Sequence, residues 1–204
     1  MNESAVNHLL RADKVLARVI KKVGPCGLTP ANHRSPFQAL VQAVAHQQLN
    51  GTAAGTILRR VRALYPHCRF PKPEDVLETP DEQLRGAGLS RAKTTSVKDI
   101  AAKTIEGVVP SSRAIKKMSD AEILERLTSL RGVGPWTVEM LLMFTLGRPD
   151  VLPVTDYGVR CGFARVYGLA ELPSPKELLA HGERWRPYRS VASWYLWRAL
   201  ELPE

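Results

Sequence analysis

The residues best suited to chemistry lie in the second half of the chain. Asp156 stands 20 residues beyond Trp136, after a proline-containing segment, Asp150-Val151-Leu152-Pro153-Val154-Thr155. A fixed carboxylate stabilises positive charge that builds in a transition state, and it can orient or deprotonate an attacking water. Asp156 also precedes Tyr157-Gly158-Val159-Arg160, so a helix N-cap is the alternative reading. The two roles are compatible, because a helix N-terminus favours a negative group. Trp136 is either a core packer or an aromatic wall, and an aromatic face attracts a cationic, electron-poor ring. Trp197 is a second such face. It ends a stretch from Arg184 that also holds Trp185 and Trp194, both readable as core. Met140 offers a soft, polarizable side chain to a flat ligand.

The elements that must position these groups are legible nearby. Ser119 and Glu122 form a capping box, and Ile123, Leu124, Leu127 and Leu130 recur at helical spacing. Gly132-Val133-Gly134 then reads as a tight turn in which both glycines supply backbone angles that a Cβ forbids. Pro135 suits the first turn of the next helix and Gly147 the position past its end. Met140, Leu141, Leu142, Met143, Phe144 and Leu146 leave that helix almost no polar face, so it is expected to be buried. In such a helix–turn–helix, the N–H groups from Gly132 to Trp136 point outward at a positive helix end. An anion such as a phosphate fits there; the alternative is merely a tight connection. Gln47-Gln48-Leu49-Asn50 falls between two helices. An apolar tip flanked by amides suits a wedge into a base stack, or else Leu49 is tucked inward. His46 beside it reads as structural or as facing the bound partner.

Helical spacing recurs along the rest of the chain and no strand signal stands out, so the fold class is all-α. Leu9, Leu10, Leu16, Val19, Ile20 and Val23 predict one helix ending near Gly24-Pro25. Ser35 caps and Pro36 opens a second, with Phe37, Leu40, Val41, Val44 and Ala45. Ala53, Ile57, Leu58, Val61 and Leu64 predict a third, stopped at Tyr65-Pro66. Phe70 to Pro73 reads as loop, and Asp81 to Leu84 as a short helical turn. Gly86-Ala87-Gly88 reads as a turn of structural role before a helix with Val97, Ile100 and Ile105. Further helices are expected from Asp156 to Tyr167, ended by Gly168, and from about Pro187 to Leu200.

Twenty-nine Lys and Arg against 20 Asp and Glu give a net charge of +9. The excess favours a polyanionic partner, nucleic acid first and an acidic membrane surface second, or is simply a solvated basic surface. No run of about 18 apolar residues predicts a membrane span, and Met1-Asn2-Glu3-Ser4 opens no signal peptide. An intracellular protein is expected, in the cytoplasm and nucleoid of a bacterium or the nucleus of a eukaryote. Cys26, Cys68 and Cys161 are odd in number and widely spaced. They support no metal or iron–sulfur site and read as reduced, mostly buried thiols.

Leu130-Arg131-Gly132-Val133-Gly134-Pro135-Trp136-Thr137, then Leu146-Gly147, Asp150-Val151-Leu152-Pro153 and Asp156, resembles the helix-hairpin-helix DNA glycosylases. More narrowly it resembles their alkylated-base branch, the DNA-3-methyladenine glycosylase II type, from about Phe37 to Trp197. The resemblance implies a two-lobed all-α fold with the active-site cleft between the lobes. One lobe would be about 36–147, with the hairpin at 130–136, and the other 1–35 plus 148–204. Some relatives add a β-rich layer ahead of the helices, and too few residues precede Phe37 for one. By the resemblance Asp156 is catalytic and Trp136 and Trp197 line a base pocket. Met140 stands there too, where some relatives carry an aromatic residue. Leu49 and Gln48 become the wedge, and Gly132, Val133, Gly134 and Trp136 the phosphate-binding hairpin.

The implied activity is monofunctional hydrolysis of the N-glycosidic bond of alkylated bases in duplex DNA, 3-methyladenine first and 7-methylguanine second. A monomer acting on damaged duplex DNA is implied, with no required cofactor. No side-chain metal site is implied, although a monovalent cation could be held by hairpin carbonyls. Two alternatives stay open. One is a non-catalytic helix-hairpin-helix DNA-binding module. The other is a bifunctional glycosylase/lyase for oxidised bases, whose branch carries a lysine where this chain has Trp136.

Overall fold

A computed structural model describes residues 2–49 and 51–203. Among these there are thirteen α-helices and no strand. In chain order the first seven are α1 (Asn2–Ala12), α2 (Lys14–Val23), α3 (Pro36–His46), α4 (Gly51–Ala63), α5 (Pro73–Glu78), α6 (Asp81–Gly86) and α7 (Arg91–Ile105). Then come α8 (Ser112–Ile115), α9 (Asp120–Thr128), α10 (Pro135–Leu141), α11 (Tyr157–Tyr167), α12 (Pro175–Gly182) and α13 (Arg189–Ala199). A π-helical turn, Leu142–Leu146, continues α10, and a 3₁₀ turn, Glu183–Trp185, follows α12.

The chain divides into two compact units, Met1–Pro30 with Leu142–Glu204, and Ala31–Leu141. The divisions expected from sequence stand a few residues further along, at 35/36 and 147/148. In the Ala31–Leu141 unit, α3 buries Phe37, Leu40, Val41, Val44 and Ala45 against α7 and α10, which contribute Val97, Ile100, Ala101, Val138 and Leu141. Each such large aliphatic side chain contributes about 1.5–3 kcal/mol when taken out of water. Ser35 caps α3 through Gln38 N–H, and Ser119 and Glu122 complete the predicted capping box of α9.

The helix opened by Pro135 does not stay α-helical to its end. It turns π-helical at Leu142, where the unit boundary falls. Gly147 then ends it at φ +69°, with Arg148 N–H donating to Leu142 O at 2.9 Å, one residue wider than the six-to-one bond of an α-helical glycine stop, as the π turn requires. A Cβ on Gly147 would lie 2.8 Å from Pro30 Cγ, so glycine is needed there twice over.

The other unit is organised around Asp13. The apolar spacing predicts one helix through residues 9–23, but the chain breaks at Asp13 into α1 and α2. Asp13 adopts an extended conformation and caps α2, Oδ1 accepting from Val15 N–H (3.1 Å) and Leu16 N–H (3.0 Å). Its Oδ2 accepts from Tyr167 Oη (2.6 Å) and Trp185 Nε1 (3.0 Å), and His181 Nε2 lies 3.1 Å away. Periodicity could not see this break, because the partners that hold it are on α11, α12 and the 3₁₀ turn. Burial pushes the Asp13 carboxyl pKa up. The bonds from His181, Tyr167, Leu16 N–H and Trp185 outweigh that and hold it well below the usual carboxylate range. Burial and the bond to Asp13 in turn raise the Tyr167 phenol.

Asp13→Ala should therefore cost about 3–5 kcal/mol, since it strands buried donors and removes a cap. The depressed carboxyl contributes stability that is present above its unfolded value and lost as pH falls through its folded one. The gap in thermal melting between wild type and variant should thus be full at neutral pH and shrink as pH drops below about 4. A gap that grows on acidification would show the carboxylate is not the source.

Other corrections concern short elements. The pattern predicts no helix at 73–78, 112–115 or 175–182, and the structure makes them α5, α8 and α12. They are too short for periodicity, and Pro73 and Pro175 sit at first helical positions rather than in loops. The Ser174–Glu177 capping box was a signal for α12. The thiols are not mostly buried either. Cys68 is exposed, and Cys26 and Cys161 are half-buried. Trp185 is core, fully buried, whereas Trp194 is only half-buried. No described helix is long and apolar enough to cross a membrane.

Candidate active site and anion-binding hairpin

Asp156 is the N-cap of α11, with its Oδ1 accepting from Val159 N–H at 2.7 Å. The same oxygen accepts from Trp197 Nε1 at 2.8 Å. One oxygen therefore serves both the helix cap and the indole N–H, and the indole fixes the plane of the carboxylate. Two glycines bring Trp197 there. A Cβ on Gly162 would stand 2.1 Å from Leu196 O, and one on Gly158 would stand 2.9 Å from Trp197 Cδ1. Gly158 and Gly162, one helical turn apart, thus let α11 and α13 approach closely enough for the indole to reach Asp156. The i, i+4 spacing of the two glycines is the sequence signal of this tight helix packing. Phe144, expected only as core, packs its ring against Trp197 with centroids 5.8 Å apart. Tyr157, directly after the acid, is 71% exposed.

In the Ala31–Leu141 unit, Gly132 is the corner of the hairpin. It has φ +74°, and a Cβ there would overlap Ser96 Oγ at 2.2 Å. α7 braces the turn a second time, with Asp99 Oδ2 accepting Arg131 N–H at 2.8 Å. Two expectations are corrected. Gly134 is not left-handed, and a Cβ there meets nothing within 4 Å, so protein sterics do not demand glycine at 134. Val133 is buried, and its N–H donates to Leu130 O at 3.2 Å, so it serves the core instead of the outward set of donors. Gly134 O accepts Thr137 N–H (3.0 Å) and Val138 N–H (3.3 Å), which starts α10. Trp136 and Met140 lie one turn apart on α10, both half-buried, while Thr137, Val138 and Leu141 face the core.

Leu49 is not tucked inward: it is 39% exposed, and Gln48 beside it is exposed and left-handed at φ +58°. Asn50, the last residue of the expected tip, lies outside the described residues. His46 is half-buried, with its Nδ1 2.8 Å from Gln42 O one turn back on α3. From sequence, Gln47 is only one of the amides flanking the apolar tip, and Lys93 has no expected role. Gln47 Nε2 donates to Gly132 O (2.9 Å) and to Thr137 Oγ1 (3.0 Å). Lys93 Nζ donates to Ala45 O (2.9 Å) and Gln47 O (2.8 Å), where a helix C-terminus welcomes a cation. No short-range pattern signals either pairing, because the partners lie 46 or more residues away. Among the described residues, no group of three or more His, Cys, Asp and Glu side chains could hold a metal ion.

Residues 41–187 match the family described as HhH-GPD superfamily base excision DNA repair protein. The chain is 37% identical over 198 residues to DNA-3-methyladenine glycosylase 1 of Schizosaccharomyces pombe, covering 97% of this chain and 87% of that relative. Among solved structures, it superposes on the S. pombe 3-methyladenine DNA glycosylase in complex with abasic DNA with a TM-score of 0.94 at 37% identity, over 98% of this chain and 97% of that one. It is also similar to the DNA-3-methyladenine glycosidase of Bacillus halodurans, with a TM-score of 0.82 at 35% identity, over 96% and 88% of the two chains.

Proposed function

The chain belongs to the HhH-GPD superfamily of base excision DNA repair proteins, and from that premise we propose that it is a monofunctional DNA glycosylase for alkylated bases. Its substrates are 3-methyladenine and, second, 7-methylguanine in duplex DNA. The observation that carries the reading is the carboxylate of Asp156, held at the head of α11 by Val159 N–H and the Trp197 indole. Breaking an N-glycosidic bond builds positive charge on the sugar. A carboxylate already fixed in place stabilises that charge without reorganising, and it orients or deprotonates the attacking water. A methylated purine of this kind already carries positive charge, so it departs as a neutral base and needs no strong general acid. An aromatic wall then suffices to favour it over unmodified bases. Trp136, Met140 and Trp197 are the residues proposed for that pocket.

The remaining parts serve delivery of the base. The hairpin, through Gly132, Gly134 and the start of α10 at Trp136, takes a backbone phosphate. Leu49, with Gln48, fills the stack where the damaged nucleotide leaves it. No cofactor is required. A monovalent cation at the hairpin would be held by backbone carbonyls. Leu130 O already accepts Val133 N–H and Gly132 O already accepts Gln47 Nε2, each keeping a second lone pair for such an ion. The protein acts as a monomer wherever duplex DNA is kept, in a nucleoid or a nucleus.

The position of Trp136 separates this reading from a lyase. An indole cannot attack the sugar carbon to form an imine, as an uncharged lysine amine does. The test is base release from alkylated duplex DNA, with the bases identified and borohydride present during turnover. We expect 3-methyladenine and an abasic strand that stays intact until alkali treatment. No base release would sink the glycosylase reading. A covalent protein–DNA adduct, with strand breaks as fast as base release, would move the protein to the lyase branch.

A further inference from the structure

Leu49 stands at the end of a connection that is strained where it need not be. Gln48 carries a Cβ and yet sits at φ +58°, a conformation that persists only where neighbours impose it. Two side-chain tethers converge on the residue before it. Lys93 reaches across from α7 to Ala45 O and Gln47 O, and burial lowers its ammonium pKa below the ordinary lysine value. Gln47 reaches the other way, to Gly132 O and Thr137 Oγ1. A carbonyl only accepts, so the amide nitrogen of Gln47 must be the atom facing Gly132. Gly132 is the left-handed corner of the hairpin, and Thr137 is in the first turn of α10. One side chain therefore spans from the base of the exposed tip to the turn that would hold a phosphate.

We propose that Gln47 is a positioning residue that couples the tip at Leu49 to the hairpin, so that a phosphate seated on the hairpin fixes where Leu49 enters the duplex. This rests on the glycosylase reading and adds to it a division of labour. The hairpin sets the register, and Gln47 passes it to the wedge. A mere space-filling side chain would give the same packing but not this coupling. The distinction lies in the donors. Gln47→Glu keeps the shape, removes both N–H donors and turns an acceptor toward Gly132 O.

The experiment compares affinity for a duplex holding one abasic site with affinity for the undamaged duplex, so it needs no catalysis. The proteins are wild type, Gln47→Glu, Leu49→Ala and the double variant, each checked by thermal melting. The two hydrogen bonds correspond to a loss of abasic-site preference of roughly tenfold for Gln47→Glu. Leu49→Ala should lose a similar factor. The double variant should be no worse than Leu49→Ala, within about twofold, because Gln47 acts through Leu49. Losses that multiply would overturn the coupling while leaving the wedge intact, as would full preference in Gln47→Glu. Should Leu49→Ala keep the wild-type preference, the wedge reading itself falls and the coupling with it. Should Gln47→Glu fail to fold, Lys93→Met removes the other tether, and the same pattern is expected of it.

Discussion

Asp156→Asn should abolish base release from alkylated duplex DNA while leaving the fold and the binding of DNA intact. Asparagine keeps an oxygen for Val159 N–H and for the Trp197 indole, and it caps a helix about as well as aspartate. What it lacks is the charge. Removing one pre-aligned electrostatic partner of a developing charge costs roughly 10²–10³ in rate, and Asp156 carries a full charge where such partners are usually dipoles. The loss should therefore reach at least that range under single-turnover conditions. Melting should stay within a few degrees of wild type, and affinity for an abasic-site duplex within a few-fold. Wild-type release by the variant would remove Asp156 from the mechanism. A large drop in melting temperature would mean the cap, not the chemistry, is what the residue serves.

The second large effect separates the two hairpin glycines. Gly132→Ala forces a Cβ into the left-handed region and onto Ser96 Oγ, with a combined cost of about 2–4 kcal/mol. The hairpin should distort, and DNA affinity should fall along with stability. Gly134→Ala should be nearly silent in melting, since nothing in the protein stands within 4 Å of its Cβ. Gly134→Leu should fold normally and yet bind damaged and undamaged duplex less well by the same factor, because it blocks approach to a phosphate and not to a base. Affinities measured at two salt concentrations, with thermal melts alongside, check all three. Binding should weaken as salt rises. If Gly134→Leu binds as wild type, the hairpin does not take a phosphate at that face.

These expectations divide by the range over which their causes act. Ser35, the Ser119–Glu122 box, Gly147 and Gly168 mark helix ends within a few residues, and the structure uses each where local chemistry predicts it. The hairpin motif followed by Asp156 is likewise contiguous, which is why the sequence alone determines the family, the all-α class and the segment holding the candidate carboxylate. What it does not determine is set by partners far along the chain. The break at Asp13 depends on Tyr167, His181 and Trp185, more than 150 residues away. The bond from Trp197 to Asp156 depends on Gly158 and Gly162 yielding to another helix. The tether from Gln47 to Gly132 crosses 85 residues. Gly134 looked like a second conformational glycine, yet only the folded turn shows that its backbone angles are ordinary and its Cβ direction open. Spacing along a chain records which face of a helix is apolar. Which buried donor meets which acceptor is decided when those faces pack, and in this protein that step orients the Asp156 carboxylate and ties Gln47 to Gly132.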